Sequence, residues 1–229
     1  MQHKEKDCAY YPVDQNEVIK FHHFVPGMPS QGIYKIVEWM YNVVDACHQE
    51  RDLVEMALSY LHRFVCRYAK SHNKKIGIQE FRLLSLTCLS IAIKAHGKAK
   101  TCARLLRNEF TQQQIIECEM LVLRVLSFKL NPPTPSAFLR VMFEVLHIDV
   151  VLQDYAFYIV QLLMFDYIGN LSQYNTSTIA IASLRIAMKP GGSLGSIDSF
   201  NSTSLVGLIH DELDVVNSLL KSEECSSIS

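Results

Sequence analysis

The sequence has few glycines and prolines, 9 and 7 among 229 residues. Because these residue types mark most tight turns, their scarcity favours helices over many short strands. No long stretch alternates apolar and polar residues, and no apolar run approaches the roughly 20 residues that a membrane-spanning helix needs. The N-terminal segment MQHKEKDCAYYP has no apolar core of the kind found in signal peptides. We therefore expect an all-α intracellular protein, in the nucleus or the cytoplasm, without a membrane partner.

A basic excess is also missing, because the formal net charge is −1 at pH 7. Proteins that bind duplexes neutralise phosphates with lysine and arginine, so nucleic acid is disfavoured as a main partner. The 7 cysteines are an odd number, contain no CxxC pair and lie mostly in apolar segments, where thiols pack as small hydrophobic groups. These features predict a chain whose thiols are reduced.

Motifs of catalysis and cofactor binding are absent, including the P-loop, the Rossmann fingerprint and HExxH. The segment GGSLG at 191–195 fits GxSxG, but a predicted helix precedes it where a nucleophile elbow needs a strand. His62 and Cys66 have metal-ligand spacing without a second pair of ligands. Glu117 and Glu119 point to different helix faces and cannot form an acid–base couple. We predict neither an enzyme, nor a cofactor, nor a metal site.

Apolar residues at helical spacing predict nine helices, and the Pro-rich segment NPPTP divides them into two groups. The predicted helices span residues 30–40, 49–71, 78–95, 101–108 and 111–126, and then 136–146, 150–168, 175–188 and 203–221. Ser30 and Thr111 are the expected N-caps, and Gly97 is the expected C-cap of the third helix. Since that helix is apolar nearly all round, we expect it to be central and buried.

The two groups of helices contain similar segments. LTCLSIAIK at 86–94 aligns without gaps on IASLRIAMK at 181–189, and Lys94 falls on Lys189. The match, together with the Pro-rich divider, predicts an all-helical architecture of two repeats. The predicted organisation is an irregular segment at 1–28, a first repeat at 29–131, a second repeat at 132–221 and a disordered polar tail at 222–229.

Two charges lie within otherwise apolar patterns. Lys94 ends the most apolar helix, and Glu119 has large apolar residues three and four positions away on either side. A charge beside apolar surface is costly unless it has a partner. One explanation is that Lys94 extends its charged end into solvent and that Glu119 also faces solvent. The alternative explanation is a binding surface, an apolar patch on which both charges hydrogen-bond to the backbone of another protein.

Several segments together resemble the cyclin box. They are Trp39, ALSYLHRFV at 57–65, RLLSLTCLSIAIK at 82–94 and FTQQQIIECEMLVLRVLSFKLNPPTPSAFL at 110–139. The last segment is the most specific, because a Thr-led helix with a glutamate before LVL precedes LxFxL and Pro-Thr-Pro. The resemblance is strong over about 33–139 and looser beyond. It implies two tandem five-helix cyclin-like repeats, the first clear and the second weaker.

The resemblance implies a regulatory subunit that binds and activates a cyclin-dependent serine/threonine protein kinase and so controls cell-cycle progression. Kinase substrates or inhibitors are further partners in this family. A lysine that ends the third helix and a glutamate on the fifth grip the kinase backbone in cyclins, and these positions match Lys94 and Glu119. Apolar positions that pack on the kinase match Ile91, Leu123 and Leu130.

The sequence departs from the family pattern at two sites near this surface. An internal arginine–aspartate pair is replaced by Ile33 and His62, which indicates a repacked site because both partners change together. The acidic residues that usually follow the lysine are His96 and Gly97. This second change leaves open a cyclin-fold adaptor that no longer binds a kinase. A DNA-binding transcription-factor relative of the same fold is disfavoured by the charge.

The substrate-docking groove of cyclins is only partly present. Trp39 and Leu83 match two of its positions. Gly32, Lys35 and Asn42 occupy positions that are apolar or acidic in the family. We therefore expect a residual groove in which docking of Arg-x-Leu segments is weakened.

Overall fold

The structure is a computed structural model that describes residues 24–72, 75–97, 110–168, 170–189, 210–216 and 218. These residues form helices, turns and connecting segments without a strand, which confirms the predicted all-α class. The helices are α1 Ser30–Ala46, α2 Asp52–His72, α3 Ile78–His96, α4 Gln112–Val125, α5 Pro135–Leu146, α6 Val150–Met164 and α7 Thr176–Ala187, with a 3-10 turn at Leu171–Gln173. Residues 210–216 are also helical. None of the helices so described is long and apolar enough to cross a membrane.

The helix α3 is the centre of the first half, which we define as α1 to α4. Every residue from Leu84 to Ile93 is buried, and α1, α2 and α4 pack around the helix. The buried hydroxyl of Ser85 donates to the Phe81 carbonyl at 2.8 Å, so it leaves no unpaired polar group in the core. The prediction of a central, buried third helix is confirmed.

The predicted N-cap is correct for α4 and wrong for α1. The Thr111 hydroxyl accepts from the Gln114 N–H at 3.3 Å, and the Gln114 side chain accepts from the Thr111 N–H at 2.9 Å. This capping box confirms the predicted start of α4. The prediction that Ser30 caps α1 is wrong, because Pro29 is the N-cap and its carbonyl already accepts from the Gly32 N–H at 2.8 Å.

Gly97 ends α3 as predicted, although its backbone is extended, with a φ of −74°. Its N–H donates to the Ile93 carbonyl at 2.9 Å. A Cβ at this position would lie 2.6 Å from the Ile93 oxygen and 2.8 Å from Gln49 Oε1. Glycine is therefore required here for space, and a left-handed conformation plays no part.

The second half comprises α5 to α7 and the helical residues 210–216. The Thr134 hydroxyl caps α5 by accepting from the Ala137 N–H at 3.2 Å, and Pro135 occupies the first helical position, where no N–H is needed. Residues 131–134 of the Pro-rich break are non-helical, as predicted, and its last residue, Pro135, begins α5. The helix α6 ends at Met164, before the predicted residue 168, and turns follow it.

Several predictions fall outside the described residues. These are the helix at 101–108, the loop at 191–195, the tail at 222–229, and most of the segments at 1–28 and 203–221. The count of five helices in each repeat therefore stays a prediction.

A buried carboxyl on α2 joins the two halves. Glu55 accepts hydrogen bonds from the Ser136 N–H at 3.0 Å and from the Ser136 hydroxyl, at the start of α5. Burial raises the pKa of Glu55 to about 7. Asp52 lies one turn earlier on α2 and pairs with Arg140 of α5 at 3.0 Å. The halves therefore share polar contacts as well as apolar packing.

His62 and Cys66, which have metal-ligand spacing on α2, lie against each other, and the His62 ring also meets an aromatic ring. His62 Nε2 lies 3.4 Å from Cys66 Sγ, and its ring meets the Tyr167 ring edge-on at 6.2 Å. Burial lowers the pKa of His62 to about 4. No cluster of three metal-ligating side chains occurs among the described residues. These contacts indicate ordinary packing.

The expectation that all thiols are reduced is wrong at one position. Cys66, Cys88 and Cys118 are free, whereas Cys47 is disulfide-bonded. The residues around Cys47 contain no CxxC motif, so no local sequence signal indicated this bond.

Candidate functional site

Lys94 and Glu119, the two charges that the sequence analysis singled out, are in direct contact. Lys94 Nζ donates to Glu119 Oε1 at 2.8 Å and to Oε2 at 2.6 Å. The Lys94 side chain is 55% exposed and the Glu119 side chain 19% exposed. The two charges therefore satisfy each other and remain at the surface, where a second protein can reach them.

The buried surfaces of α3 and α4 bring this ion pair to the surface. Lys94 is the first residue after the buried run of α3 and is exposed. Val122 is fully buried on α4, and Glu119 lies one turn before it, at the edge of the core. The packing of α3 against α4 thus places the lysine and the glutamate side by side at the rim.

Apolar side chains surround Glu119 on one face of α4. Ile116, Met120 and Leu123 lie at positions −3, +1 and +4 from Glu119, so the four residues share a helix face. Ile116 is 45% and Met120 42% exposed, and Leu123 is half-buried. We define Ile116, Met120 and Leu123 together with the Lys94–Glu119 pair as the α4 face.

Two of these residues were not among the predicted site residues. These two residues are Ile116 and Met120. The spacing of positions 116, 120 and 123 is a helical i, i+4, i+7 pattern, which could have revealed the apolar face before the structure was known.

Two predicted contact residues lie at the edge of the site or beneath it. Ile91 is 3% exposed, so it supports the surface from below and offers little area to a partner. Leu130 is half-buried and packs against the core. Its carbonyl accepts from His96 Nε2 at 2.8 Å and from the Tyr60 hydroxyl. His96, which replaces an acidic residue of the family, is thus used inside the chain.

Arginines of α2 fix the segment that follows α4. Arg63 donates to the Lys129 carbonyl at 3.1 Å, and Arg67 donates to the Val125 carbonyl at 3.1 Å. The bond to Val125 satisfies a carbonyl at the end of α4, where no further helical donor follows. Both bonds tie the chain beside the α4 face to α2.

The two residues predicted for the docking groove lie on different helices, Trp39 on α1 and Leu83 on α3. Leu83 lines a cavity of about 270 Å³ whose other walls include Phe64 of α2 and Leu121 of α4. Trp39 is half-buried on α1 and is not among the residues that line this cavity. A docking groove that includes Trp39 and Leu83 stays a prediction.

The altered internal pair is packed without charge. Ile33 is buried in the core, and the low pKa of His62, which burial causes, keeps that side chain neutral near pH 7. Neither position therefore carries a charge near pH 7, and a repacked contact between them stays a prediction.

Comparison with known proteins identifies the family. The family description "Cyclin, N-terminal domain" matches residues 12–131, about half of the chain. The chain therefore belongs to the cyclin family.

The curated relatives include cyclins of the B type. G2/mitotic-specific cyclin-B2 of Oryzias latipes is 29% identical over 153 residues, which cover 65% of this chain and 38% of the relative. Human G2/mitotic-specific cyclin-B2 is 26% identical over 173 residues, 73% of this chain and 42% of the relative. The putative cyclin-B3-1 of Arabidopsis thaliana is 26% identical over 156 residues, 66% of this chain and 37% of the relative. The matched part thus spans about two fifths of these relatives.

A solved structure agrees with the fold. The viral cyclin from herpesvirus saimiri superposes with a TM-score of 0.60 and covers 88% of this chain and 92% of its own. The sequence identity is 15%, so this likeness bears on the fold alone. The chain has a cyclin fold.

Proposed function

We propose that this chain is a cyclin-type regulatory subunit that binds and activates a cyclin-dependent serine/threonine protein kinase and thereby controls cell-cycle progression. Membership of the cyclin family and the likeness to G2/mitotic-specific cyclins support the proposal. The observation that carries it is the exposed Lys94–Glu119 pair within the α4 face. In this proposal the chain supplies a surface and no catalytic group, and it acts in the nucleus or the cytoplasm.

The ion pair keeps hydrogen-bonding capacity for a partner. An ammonium has three N–H donors and a carboxylate has about four acceptor positions, so the mutual contact leaves some of both free. In the proposed complex Lys94 donates to a backbone carbonyl of the kinase, and Glu119 accepts from a backbone N–H. Hydrogen bonds to charged groups contribute about 1.5–3 kcal/mol each. The apolar side chains of the α4 face would exclude water around them.

The proposed effect on the kinase is mechanical. The α4 face would pack on the regulatory helix of the kinase and press it inward. That movement completes the lysine–glutamate pair of the kinase active site, which positions the phosphates of ATP. Leu123 and Leu130 would contribute apolar contact at the surface, and Ile91 would support it from below.

The first experiment is co-purification of kinase with the Lys94→Ala/Glu119→Ala variant. We expect loss of the kinase with unchanged helical content, because a surface ion pair contributes only about 0–1 kcal/mol to stability. Asp45→Ala/Arg51→Ala is the matched control, since this pair has a similar distance of 2.7 Å and side chains 42% and 49% exposed. Equal kinase recovery with both double variants would contradict the proposal.

A charge swap separates a role in binding from a role in stability. Lys94→Glu/Glu119→Lys keeps an ion pair between α3 and α4 but exchanges donor and acceptor. If the pair only stabilises the monomer, the swapped protein should still bind kinase. We expect it to lose the kinase and to keep its midpoint of urea denaturation, because the backbone groups of the partner would then face the wrong charge.

The position of His96 favours a second candidate function. His96 hydrogen-bonds to the Leu130 carbonyl, so a position that is acidic in the family serves internal structure here. In this alternative the chain is a cyclin-fold adaptor that binds other proteins and no kinase. Mass spectrometry of the purified native complex distinguishes the two: a stoichiometric kinase supports the regulatory subunit, and kinase-free complexes support the adaptor.

A further inference from the structure

The helix α5 carries apolar side chains on two opposite faces. Its inner face is buried, with Leu139 fully buried and Phe143 only 5% exposed. Its outer face presents Phe138, Val141 and Val145, which are 38%, 59% and 69% exposed. A surface helix normally turns polar residues outward, so the outer face departs from the usual pattern.

The apolar surface continues across the turn into α6. Leu146 at the end of α5 is 56% exposed, and Val150 and Val151 at the start of α6 are 65% and 61% exposed. Single exposed apolar residues are common, whereas contiguous ones mark interaction sites. We define the outer stripe as Phe138, Val141, Val145, Leu146, Val150 and Val151.

The spacing of the stripe on α5 suits a second helix. Phe138, Val141 and Val145 are separated by three and then four residues, which is the a–d–a spacing of a helix-pairing seam. Such a seam accepts the apolar ridge of another helix side by side. The stripe therefore has the geometry to pack against an amphipathic helix.

The charges beside the stripe are acidic. Glu144, Asp149 and Asp154 are exposed along it, and Glu144 occupies the g position next to the seam. Between residues 138 and 154 the only lysine or arginine is Arg140. That residue is engaged elsewhere, since it pairs with Asp52 at 3.0 Å and its guanidinium lies 5.3 Å from the Phe157 ring.

This charge distribution discriminates among occupants. A second copy of the chain would bring the same carboxylates together, and like charges at the flanking positions of a helix pair are unfavourable. An anionic membrane surface would be repelled for the same reason. Lysine or arginine flanking the apolar ridge of another helix would pair with the carboxylates.

We propose that the outer stripe binds a cationic amphipathic helix of a partner protein. The stripe belongs to the second half, whereas the Lys94–Glu119 pair belongs to the first. The proposal therefore does not depend on kinase binding. It assigns the chain a second interaction surface, with α5 as its central element.

The test uses two hydrocarbon-stapled helical peptides and the full chain. Both peptides carry leucine at the a and d positions; one carries lysine at e and g, and the other carries glutamate there. Binding is measured by fluorescence anisotropy at low and physiological ionic strength. We expect the lysine peptide to bind about tenfold more tightly than the glutamate peptide, with an advantage that salt reduces.

Variants of the chain locate the binding site. We expect Val141→Ser/Val145→Ser to weaken binding of the lysine peptide about tenfold, since two apolar contacts are lost. Both side chains are exposed, so the variant should fold normally. Glu144→Lys should weaken the lysine peptide a few-fold and strengthen the glutamate peptide. Val215→Ser is the matched control, because Val215 is 45% exposed on the helical residues 210–216.

Defined outcomes would overturn the proposal. Equal affinity for both peptides, or unchanged affinity in the double serine variant, would show that the stripe does not select a cationic helix. Self-association in sedimentation that the double serine variant abolishes would assign the stripe to a second copy. Binding to phosphatidylserine vesicles that this variant abolishes would assign it to a membrane. Kinase recovery should be unaffected in every stripe variant, which keeps this test separate from that of the proposed function.

Discussion

The two halves of the chain each place a lysine against a glutamate at the end of a buried helix. Lys94 follows the buried run of α3 and pairs with Glu119, and Lys189 follows α7 and pairs with Glu212 at 2.6 Å. The second glutamate also accepts from Arg185. Its side chain is 6% exposed, against 19% for Glu119. The glutamate of the pair is thus nearly buried in the second half and more exposed to solvent in the first.

The difference indicates distinct roles for the two pairs. The hydrogen bond from Lys189 holds the pKa of Glu212 below its usual range, with a further contribution from Arg185. Glu212 thereby joins the last described helical residues to α7. Among the described residues, Glu119 pairs with one cation, the exposed Lys94, at a half-buried position among apolar side chains. One pair serves the internal structure, and the other leaves a charged, accessible surface.

The largest expected effect tests this difference directly. Glu212→Ala should lower the free energy of unfolding by about 3 kcal/mol, because removing one member of a buried pair leaves its partners uncompensated. Breaking a buried ion pair costs about 3–5 kcal/mol. We expect the lower value here because Arg185 and Lys189 are both about half exposed. Glu119→Ala should cost less than about 1 kcal/mol, as exposed pairs do. Urea denaturation followed by circular dichroism measures both, and equal losses would remove the distinction between the halves.

The next effect concerns the contact that joins the halves. Because the pKa of Glu55 is about 7 in the folded chain and lower when unfolded, the folded state binds the extra proton. Stability from this group is therefore lost as pH rises from about 4.5 to about 7. Glu55→Gln should remove this loss, roughly 3 kcal/mol across the window, since an amide can satisfy both Ser136 groups without ionising. Urea denaturation at a series of pH values measures it.

His62 affects the pH dependence of stability in the direction opposite to Glu55. Its pKa of about 4 in the folded chain lies below that of the unfolded chain, so the unfolded state binds the extra proton. Stability from this group falls as pH drops from about 6.5 to about 4. The opposing slopes of Glu55 and His62 partly cancel in the native protein. Stability of Glu55→Gln should therefore rise with pH between about 4 and 6.5, and a pH profile like that of the native protein would contradict the assignment.

The smallest expected effect on stability concerns substitutions at the C-terminal ends of α3 and α7. Gly97→Ala should cost about 1–2 kcal/mol, because the new Cβ would press on the Ile93 carbonyl and on Gln49. Met188 ends α7 with an ordinary helical backbone and is 56% exposed, so Met188→Ala should change stability by a few tenths of a kcal/mol. Thermal denaturation compares the two variants. Similar losses would show that α3 tolerates a side chain at its end.

Much of the fold follows from local sequence. The apolar periodicity located the helices, and Thr111 and the Pro-rich break marked two of their limits correctly. The N-cap of α1 was misplaced by one residue, because Pro29 is the cap and Ser30 is already helical. The disulfide at Cys47 carried no local signal. Periodicity reports which face of a helix is apolar, and it contains less information about contacts between distant segments.

In the candidate site, too, some features could be predicted from the sequence and others depend on the packing of distant segments. Resemblance and apolar context together singled out Lys94 and Glu119, and the structure brings them into contact. The burial of Ile91 was not predictable, because it depends on how helices stack in three dimensions. The exposed partners Ile116 and Met120 could have been found from their spacing around Glu119.

The contacts of α2 with the second half have a thermodynamic consequence. Asp52, Glu55 and His62 lie on one side of that helix and touch Arg140, Ser136 and Tyr167. Since opening either half would break these contacts, we expect the chain to unfold in a single cooperative step. A ligand that binds only the folded first half would then slow amide hydrogen exchange in α5 and α6 as well, by mass action on a shared unfolding equilibrium.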